Sequence, residues 1–196
     1  MTTATIEHSL AKRLKAMTHD AHESVDRSIM AASSFASIGK YRVFLKIQYL
    51  FHRDIAALYA DPRLQDMLPG LAERCRMPLV LADMHDLGVA APDSGAPLFA
   101  GDEPVDVATG LGWLYVAEGS NMGAALLRKE AQKLGLSDDH GARHLAPAPE
   151  GPAAHWRAFV AGLDSAPLTP EEEDRAVAGA QAAFARAQAH VDAHLG

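Results

Sequence analysis

Along most of this chain apolar residues recur every three or four positions, and no stretch alternates cleanly between apolar and polar over six or more residues. That period belongs to amphipathic helices rather than half-buried strands, so the pattern predicts an all-α fold. A first helix is expected over 6–30, with Leu10, Leu14, Thr18, Val25 and Ile29 as its less polar stripe. A turn at 37–40 leads to a second over 40–59, carrying Phe44, Ile47, Tyr49, Leu50 and Phe51, and "DPRLQDMLPG" breaks it with two prolines and a glycine. A third, over 71–87, should be interrupted or kinked near Pro78, whose ring removes a donor and clashes one turn back. "GVAAPDSGAPLFAGDEP" has no period and reads as a loop. A long helix follows over 104–134, with Gly135 as its terminator. After a second loop at 136–150, "GPAAHWRAFVAGL" gives a short helix, and Thr169, Pro170 and the acids behind them open a last long one. No repeat or long linker divides the chain, so residues 1–196 are expected to form one domain, with 1–8 as a flexible N-terminal stretch.

The helix over 104–134 holds an anomaly. "GWLYVAEGSNMGAALLRKEAQKLG" places Gly119 and Gly123 inside it, and an interior glycine costs roughly 1 kcal/mol against alanine. At about 100° per residue, Gly112, Gly119 and Gly123 lie within about 40° of one another and form one bare stripe. Such a stripe either lets another helix pack closely or leaves a slot for something flat. The bulky Tyr115, Val116, Met122 and Leu126 around it favour the slot.

Composition narrows the setting. A chain of 196 residues is long enough for one core burying on the order of 70% of its unfolded surface. A net charge of −7 argues against sequence-independent binding to nucleic acid, where cations must displace phosphate counterions. The single cysteine, Cys75, excludes internal disulfides and multi-cysteine zinc or iron–sulfur sites. No apolar run reaches the roughly 18 residues of a membrane span, and "MTTATIEHSLAKRLK" lacks the apolar stretch of a secretory signal. The chain therefore reads as cytoplasmic, with no membrane partner.

The first helix carries a second cluster of chemistry in "KAMTHDAHESVD". His22 lies on the stripe of Thr18 and Val25, and Lys15 precedes it by two turns, about 20° away in direction and roughly 10 Å along the axis. An imidazole at the centre and an ammonium at the rim suit one planar, acid-bearing ligand. Asp26, four residues on, can reach the histidine across one turn and hold its ring and tautomer.

Both segments resemble the haem oxygenases. "THDAHESVD" is similar to their proximal-histidine helix, and "GWLYVAEGSNMGAALL" to the distal helix of the bacterial branch with an "EGS" tripeptide. "FLKIQYLFHRDI", "GARHLAP", "HWRAFV" and "GAQAAF" resemble that branch in the same order, so the likeness spans most of residues 10–190.

The resemblance implies a helical fold in which haem b, both cofactor and substrate, lies between the two helices. His22 Nε2 would ligate the iron, and Gly119 and Gly123 would let main chain approach the opposite face. Lys15 and Tyr115 match positions that hold the haem propionates, and Val25 and Phe184 match haem-contacting positions. Ser120 stands where animal relatives place an aspartate that organises distal water, so Gln48, His52 and Trp156 are expected to hold that network instead. The implied reaction opens the ring with O2 and electrons to give biliverdin, carbon monoxide and iron. A branch that opens another meso position tends to carry asparagine, phenylalanine and lysine where this chain has Lys15, Tyr115 and Glu130, so opening at the α position is expected.

No dinucleotide fingerprint or flavin site is visible, so electrons should come from a ferredoxin, a flavodoxin or an NAD(P)H reductase. Lys12, Arg13, Lys15, Arg128, Lys129 and Lys133 offer a basic rim for such a partner, and a monomer is expected. A non-catalytic haem carrier would use the same pocket, whereas a thiaminase-like enzyme would need a nucleophilic cysteine that Cys75 does not resemble. The pairs His140/His144 and His190/His194 lack a third ligand of the zinc type and read as solvated. His19 lies about 60° from His22 around the helix and is not expected to bind iron.

Overall fold

In the computed structural model, which describes residues 9–100 and 104–195, several helices begin where a side chain can satisfy their first N–H groups. Ser9 caps α1 (Leu10–Ala31) by accepting from Lys12 N–H, and Ser37 caps α2 (Ile38–Ala60) from Lys40. Asp61 ends α2 and caps α3 (Pro62–Met67), so the segment expected to break the helix also starts a short one. The proposed flexible stretch at 1–8 lies outside the described residues.

Of the two outcomes expected near Pro78, the structure shows an interruption and no kink. The proline occupies the first turn of α4 (Met77–Asp86), where its missing N–H has no intrahelical partner to lose. Ahead of it, Ala72–Arg74 is a separate 3₁₀ turn. The glycine-bearing helix, α5 (Val107–Lys133), starts three residues later than its pattern suggests, because the Asp106 carboxylate takes the Thr109 N–H. Then come the 3₁₀ turn Arg143–Leu145, α6 (Pro152–Asp164) and α7 (Pro170–Leu195). At the head of α7, Thr169 Oγ1 accepts from Glu172 N–H while the Glu172 carboxylate accepts from Thr169 N–H, a reciprocal cap. Among the described residues the elements are all helical, with only isolated bridges from Ser137 to His140 and Gly141.

Two apolar clusters hold these helices together. One joins Leu14 of α1, Ile55 and Leu58 of α2, Leu111 and Leu114 of α5, Phe159 of α6 and Ala180 of α7. The other joins Tyr41, Phe44 and Leu45 of α2, Val80 and Met84 of α4, and Ala124 and Ala131 of α5. Helix α5 thus serves one cluster with its first half and the other with its second.

The crossing of α5 and α7 needs glycine on both sides. A Cβ on Gly112 would stand 2.0 Å from the Ala176 carbonyl oxygen, and one on Gly179 would stand 2.5 Å from that of Thr109. Gly112 is therefore a packing glycine, and close helix approach accounts for that part of the bare stripe. Nearby, the fully buried Asp54 of α2 accepts from Arg53 at 3.0 Å and from Arg186 of α7 at 2.7 Å. His190 is buried beside it with Nε2 3.3 Å from the same carboxylate, so the expectation that it is solvated is wrong. Its place follows from a partner 136 residues away, which local pattern does not reveal.

Candidate functional site

Where the two clusters meet, α1, α2, α5, α6 and α7 enclose a cavity of about 540 Å³, a size common for cofactor and small-ligand sites. All twelve site residues named from the sequence line it, as do residues that the sequence did not single out.

The α1 wall presents Lys15, His22, Val25 and Asp26. Val25 is buried, while the His22 side chain is 58% exposed. Its ring lies 5.5 Å from that of Phe184 on α7, centroid to centroid, tilted by 37°. Asp26 does approach His22 across one turn, but its carboxylate is 3.2 Å from Nε2, the nitrogen expected to face iron, rather than from Nδ1. Both partners are exposed, so this contact is weak and readily exchanged for another at the same nitrogen. His19 also borders the cavity and pairs with Glu23 at 3.3 Å.

On α5, Gly119 and Gly123 differ from Gly112. A Cβ on Gly123 would meet nothing within 4 Å, and one on Gly119 would meet only the Trp156 ring, at 3.7 Å. The stripe thus changes from packing surface to open slot within two turns. Ser120 donates to the Ala117 carbonyl at 2.6 Å, its hydroxyl turned onto its own helix. Tyr115 sits on the same wall against Trp156, ring centroids 5.6 Å apart, and burial raises its hydroxyl pKa above the ordinary value. Trp156 is stacked in turn on Phe159 of α6.

Behind this slot α6 is tied to α5 through a buried ion pair. Glu118, next to Gly119, accepts from Arg74 at 2.8 Å and from the Tyr59 hydroxyl at 2.9 Å. His155, next to Trp156, has Nε2 3.4 Å from Glu118 and Nδ1 2.7 Å from Glu150. The bond to Glu118 leads the causes that raise the His155 pKa above the ordinary imidazole value.

Gln48 and His52 come from one face of α2. His52 is buried, and that burial, with His144 and Arg76 nearby, pushes its pKa down to about 3, so it stays neutral. His144, Arg76 and Asn121 are polar lining residues that the sequence reading did not assign to the site. The expectation of a solvated His144 is incorrect. Its side chain is 1% exposed and its Nδ1 lies 2.8 Å from Asp83. Arg76 donates to the carbonyls of His144 and Ala146 at 2.6 and 2.8 Å, fixing the 3₁₀ turn to the start of α4. The available signal was "GARHLAP" itself, quoted for its resemblance, while its acidic partner lies 61 residues upstream. His140 is exposed, as expected.

The basic rim is smaller than its sequence suggests. Arg13 is taken by Glu173 and Asp174, Arg128 by Asp138 at 2.5 Å, and Lys133 by Glu130 at 2.6 Å. Among the described residues no helix is long and apolar enough to cross a membrane. Cys75 is half-buried, and burial raises its thiol pKa, which disfavours a reactive thiolate.

Comparison with known proteins gives a consistent result. The family model described as "Heme oxygenase" matches residues 102–192. Over 183 residues the chain is 39% identical to heme oxygenase PigA of Pseudomonas aeruginosa, covering 93% of this chain and 91% of that one. Among solved structures, the NO- and CO-bound heme oxygenase of Neisseria meningitidis aligns with a TM-score of 0.88 and 44% identity, over 96% of this chain and 92% of that one. Heme oxygenase-1 of the cyanobacterium Synechocystis, in complex with heme, shares the fold at a TM-score of 0.71 and 17% identity, over 95% and 92% of the two chains. This chain belongs to the haem oxygenase family.

Proposed function

We propose that the chain is a haem oxygenase that binds haem b in the cavity between α1 and α5 and cleaves it oxidatively to biliverdin, carbon monoxide and iron. The observation that carries this reading is one apolar cavity with an accessible imidazole, His22, on one wall and side-chain-free helix, Gly119 and Gly123, on another. The residues fit a flat, dicarboxylate macrocycle. A side chain at 123 would project into the slot unopposed, Val25 and Phe184 offer apolar contact, and Lys15 and Tyr115 bring a cation and a hydroxyl for the acidic edge.

Haem supplies both the iron at which O2 is reduced and the ring that is opened. The protein contributes placement and proton control. His22 would hold the iron through one ring nitrogen, and Asp26 would accept from the other nitrogen after exchange. Gly119 and Gly123 admit main chain where any Cβ would stand between ligand and helix. His52, held neutral by burial, cannot act as a strong acid at the distal wall. With Gln48 it can only orient donors and acceptors, which suits proton supply through water. Trp156, positioned by its stack on Phe159, closes the wall beside Gly119.

Opening at the α position is the proposed regiochemistry, supported by Lys15 and Tyr115 on the cavity wall. Isolation of mainly the β or δ biliverdin isomer would reject it. Electrons are proposed to come from a separate ferredoxin, flavodoxin or NAD(P)H reductase in the cytoplasm, and the enzyme is proposed to act as a single-domain monomer. The test of the main reading adds haemin, reductant and air to the wild type and to His22→Ala. Wild type should form an imidazole-ligated complex whose Soret band is lost as biliverdin appears, and the variant should lose both ligation and turnover. Retention of intact haem by the wild type would instead identify a carrier.

A further inference from the structure

The cavity's polar lining contains a buried side chain, His144, whose two nitrogens are treated unequally. The Asp83 carboxylate, fully buried on α4, accepts from the backbone N–H of His144 at 3.0 Å and lies 2.8 Å from the same residue's Nδ1. It also accepts from the Arg143 N–H at 2.9 Å and from the Arg143 guanidinium at 3.3 Å. Burial alone would raise the Asp83 pKa, but the bonds from His144 and Arg143 outweigh it and hold the carboxylate ionised. An ionised carboxylate only accepts, so Nδ1 must carry the proton and Nε2 a lone pair. That Nε2 is buried and has no hydrogen-bond partner, although its ring lines the haem cavity. A buried acceptor left unmatched costs about 1–3 kcal/mol. The neighbouring Arg76 cannot fill the gap with the guanidinium nitrogen already given to two carbonyls, and its charge disfavours a second cation at His144.

We propose that Asp83 and His144 form a positioning pair for the distal water of the haem cavity: Asp83 locks His144 as an acceptor at Nε2, and that lone pair anchors one water between His144 and His52. The water donates one O–H to His144 Nε2, accepts from the ring N–H of the neutral His52, and keeps its other O–H directed into the cavity. Two neutral imidazoles therefore fix its orientation without supplying a proton themselves. This rests on the haem oxygenase reading, which it refines by naming the residues that set the water's direction.

The test combines the tautomer with the loaded protein. In haem-free protein labelled with ¹⁵N-histidine, NMR at neutral pH should show His144 with Nδ1 protonated and Nε2 bare. Asp83→Asn should weaken this preference, since the lost charge no longer holds Nδ1–H and whichever position the amide NH2 takes, it faces a backbone N–H that it cannot accept from. His144→Phe keeps a ring against Phe44, 6.3 Å away between centroids, and decides the matter if Asp83→Asn fails to fold. With haemin bound, both variants should keep the His22-ligated spectrum, shift the pH midpoint of the ferric absorption spectrum, and turn over about tenfold more slowly, the usual scale for residues that orient a site from behind. A protonated Nε2 in the wild type, or an unmoved midpoint in His144→Phe, overturns the proposal. Wild type that takes up no haemin overturns the functional reading and this one together, whereas active wild type beside an unaltered His144→Phe overturns this one alone.

Discussion

From Gly110 to Glu118 every residue of α5 is buried, whereas between Gly119 and Lys133 only Ala124 and Ala131 are. Glycine occurs in both halves and does opposite work. Gly112 lies where α7 main chain leaves no volume for a methyl group, while Gly123 lies where nothing stands within 4 Å. A small residue is thus required in the first half by what is already there, and on the proposed function it is required in the second by the flat ligand that would enter. The two cases look identical in a helical projection, because the projection gives direction and not the distance to the next surface.

The largest expected effect breaks the first half. Gly112→Ala puts a Cβ 2.0 Å from a carbonyl oxygen and 2.7 Å from the Ala180 nitrogen. Neither can rotate away as a flexible side chain would, so α5 and α7 must separate. Destabilisation on the order of 5 kcal/mol is expected, measured by denaturant unfolding of haem-free protein. A loss below about 0.5 kcal/mol, within the range of ordinary surface substitutions, would refute the packing role.

What could be read from the chain follows the same division. The helices were legible because their burial is periodic and Thr169 caps the last one, but Ser9 and Asp106 start α1 and α5 later than the expected residues 6 and 104. The α1 and α5 walls were legible because His22, Lys15, Gly119 and Gly123 lie at helical spacings within single elements. The wall built by Arg76, Asp83 and His144 was not, since it depends on pairing across loops. His144 in particular sits in a proline- and glycine-flanked turn whose composition suggests solvent. Pro78 was legible as a break but not as a start: a proline signals the same local incompatibility whether it interrupts a helix or begins one.

Next in size is the junction between the halves. Glu118→Gln leaves the buried Arg74 guanidinium facing a neutral amide, and breaking a buried pair in this way costs about 3 kcal/mol. The same change loosens His155 and therefore the seat of Trp156 beside Gly119. Reduced thermal stability together with a changed Trp fluorescence is expected. A stability loss without any fluorescence change would confine Glu118 to the core and separate it from the cavity.

Acid should act on the two sides of this junction with opposite sign. The His52 pKa is depressed to about 3 in the folded protein, so below about pH 6.5 the unfolded chain binds a proton that the native state refuses. Its contribution to stability therefore declines as pH falls from about 6.5 towards 3, with a limiting slope of about 1.4 kcal/mol per pH unit. The His155 pKa is raised, so its contribution is fully present below about pH 6.5 and fades as pH rises above that. His52→Gln should flatten the acid limb of a stability–pH curve and His155→Gln the neutral-to-alkaline limb. The reverse pattern would contradict the environments assigned to these two rings.

The smallest effect on folding, and the sharpest contrast with Gly112, comes from Gly123→Ala. Removing an interior glycine gains up to about 1 kcal/mol of helix propensity, and the new methyl group has no neighbour to displace. Haem-free protein should therefore be slightly more stable than wild type. The methyl would stand in the slot between α5 and any flat ligand, so haemin affinity and turnover should fall although the fold has improved. Opposite signs in one variant, read by denaturant unfolding and by haemin titration, are what a ligand-facing glycine requires. If both quantities fell together, Gly123 would be a packing residue like Gly112, and the difference between the two halves of α5 would disappear.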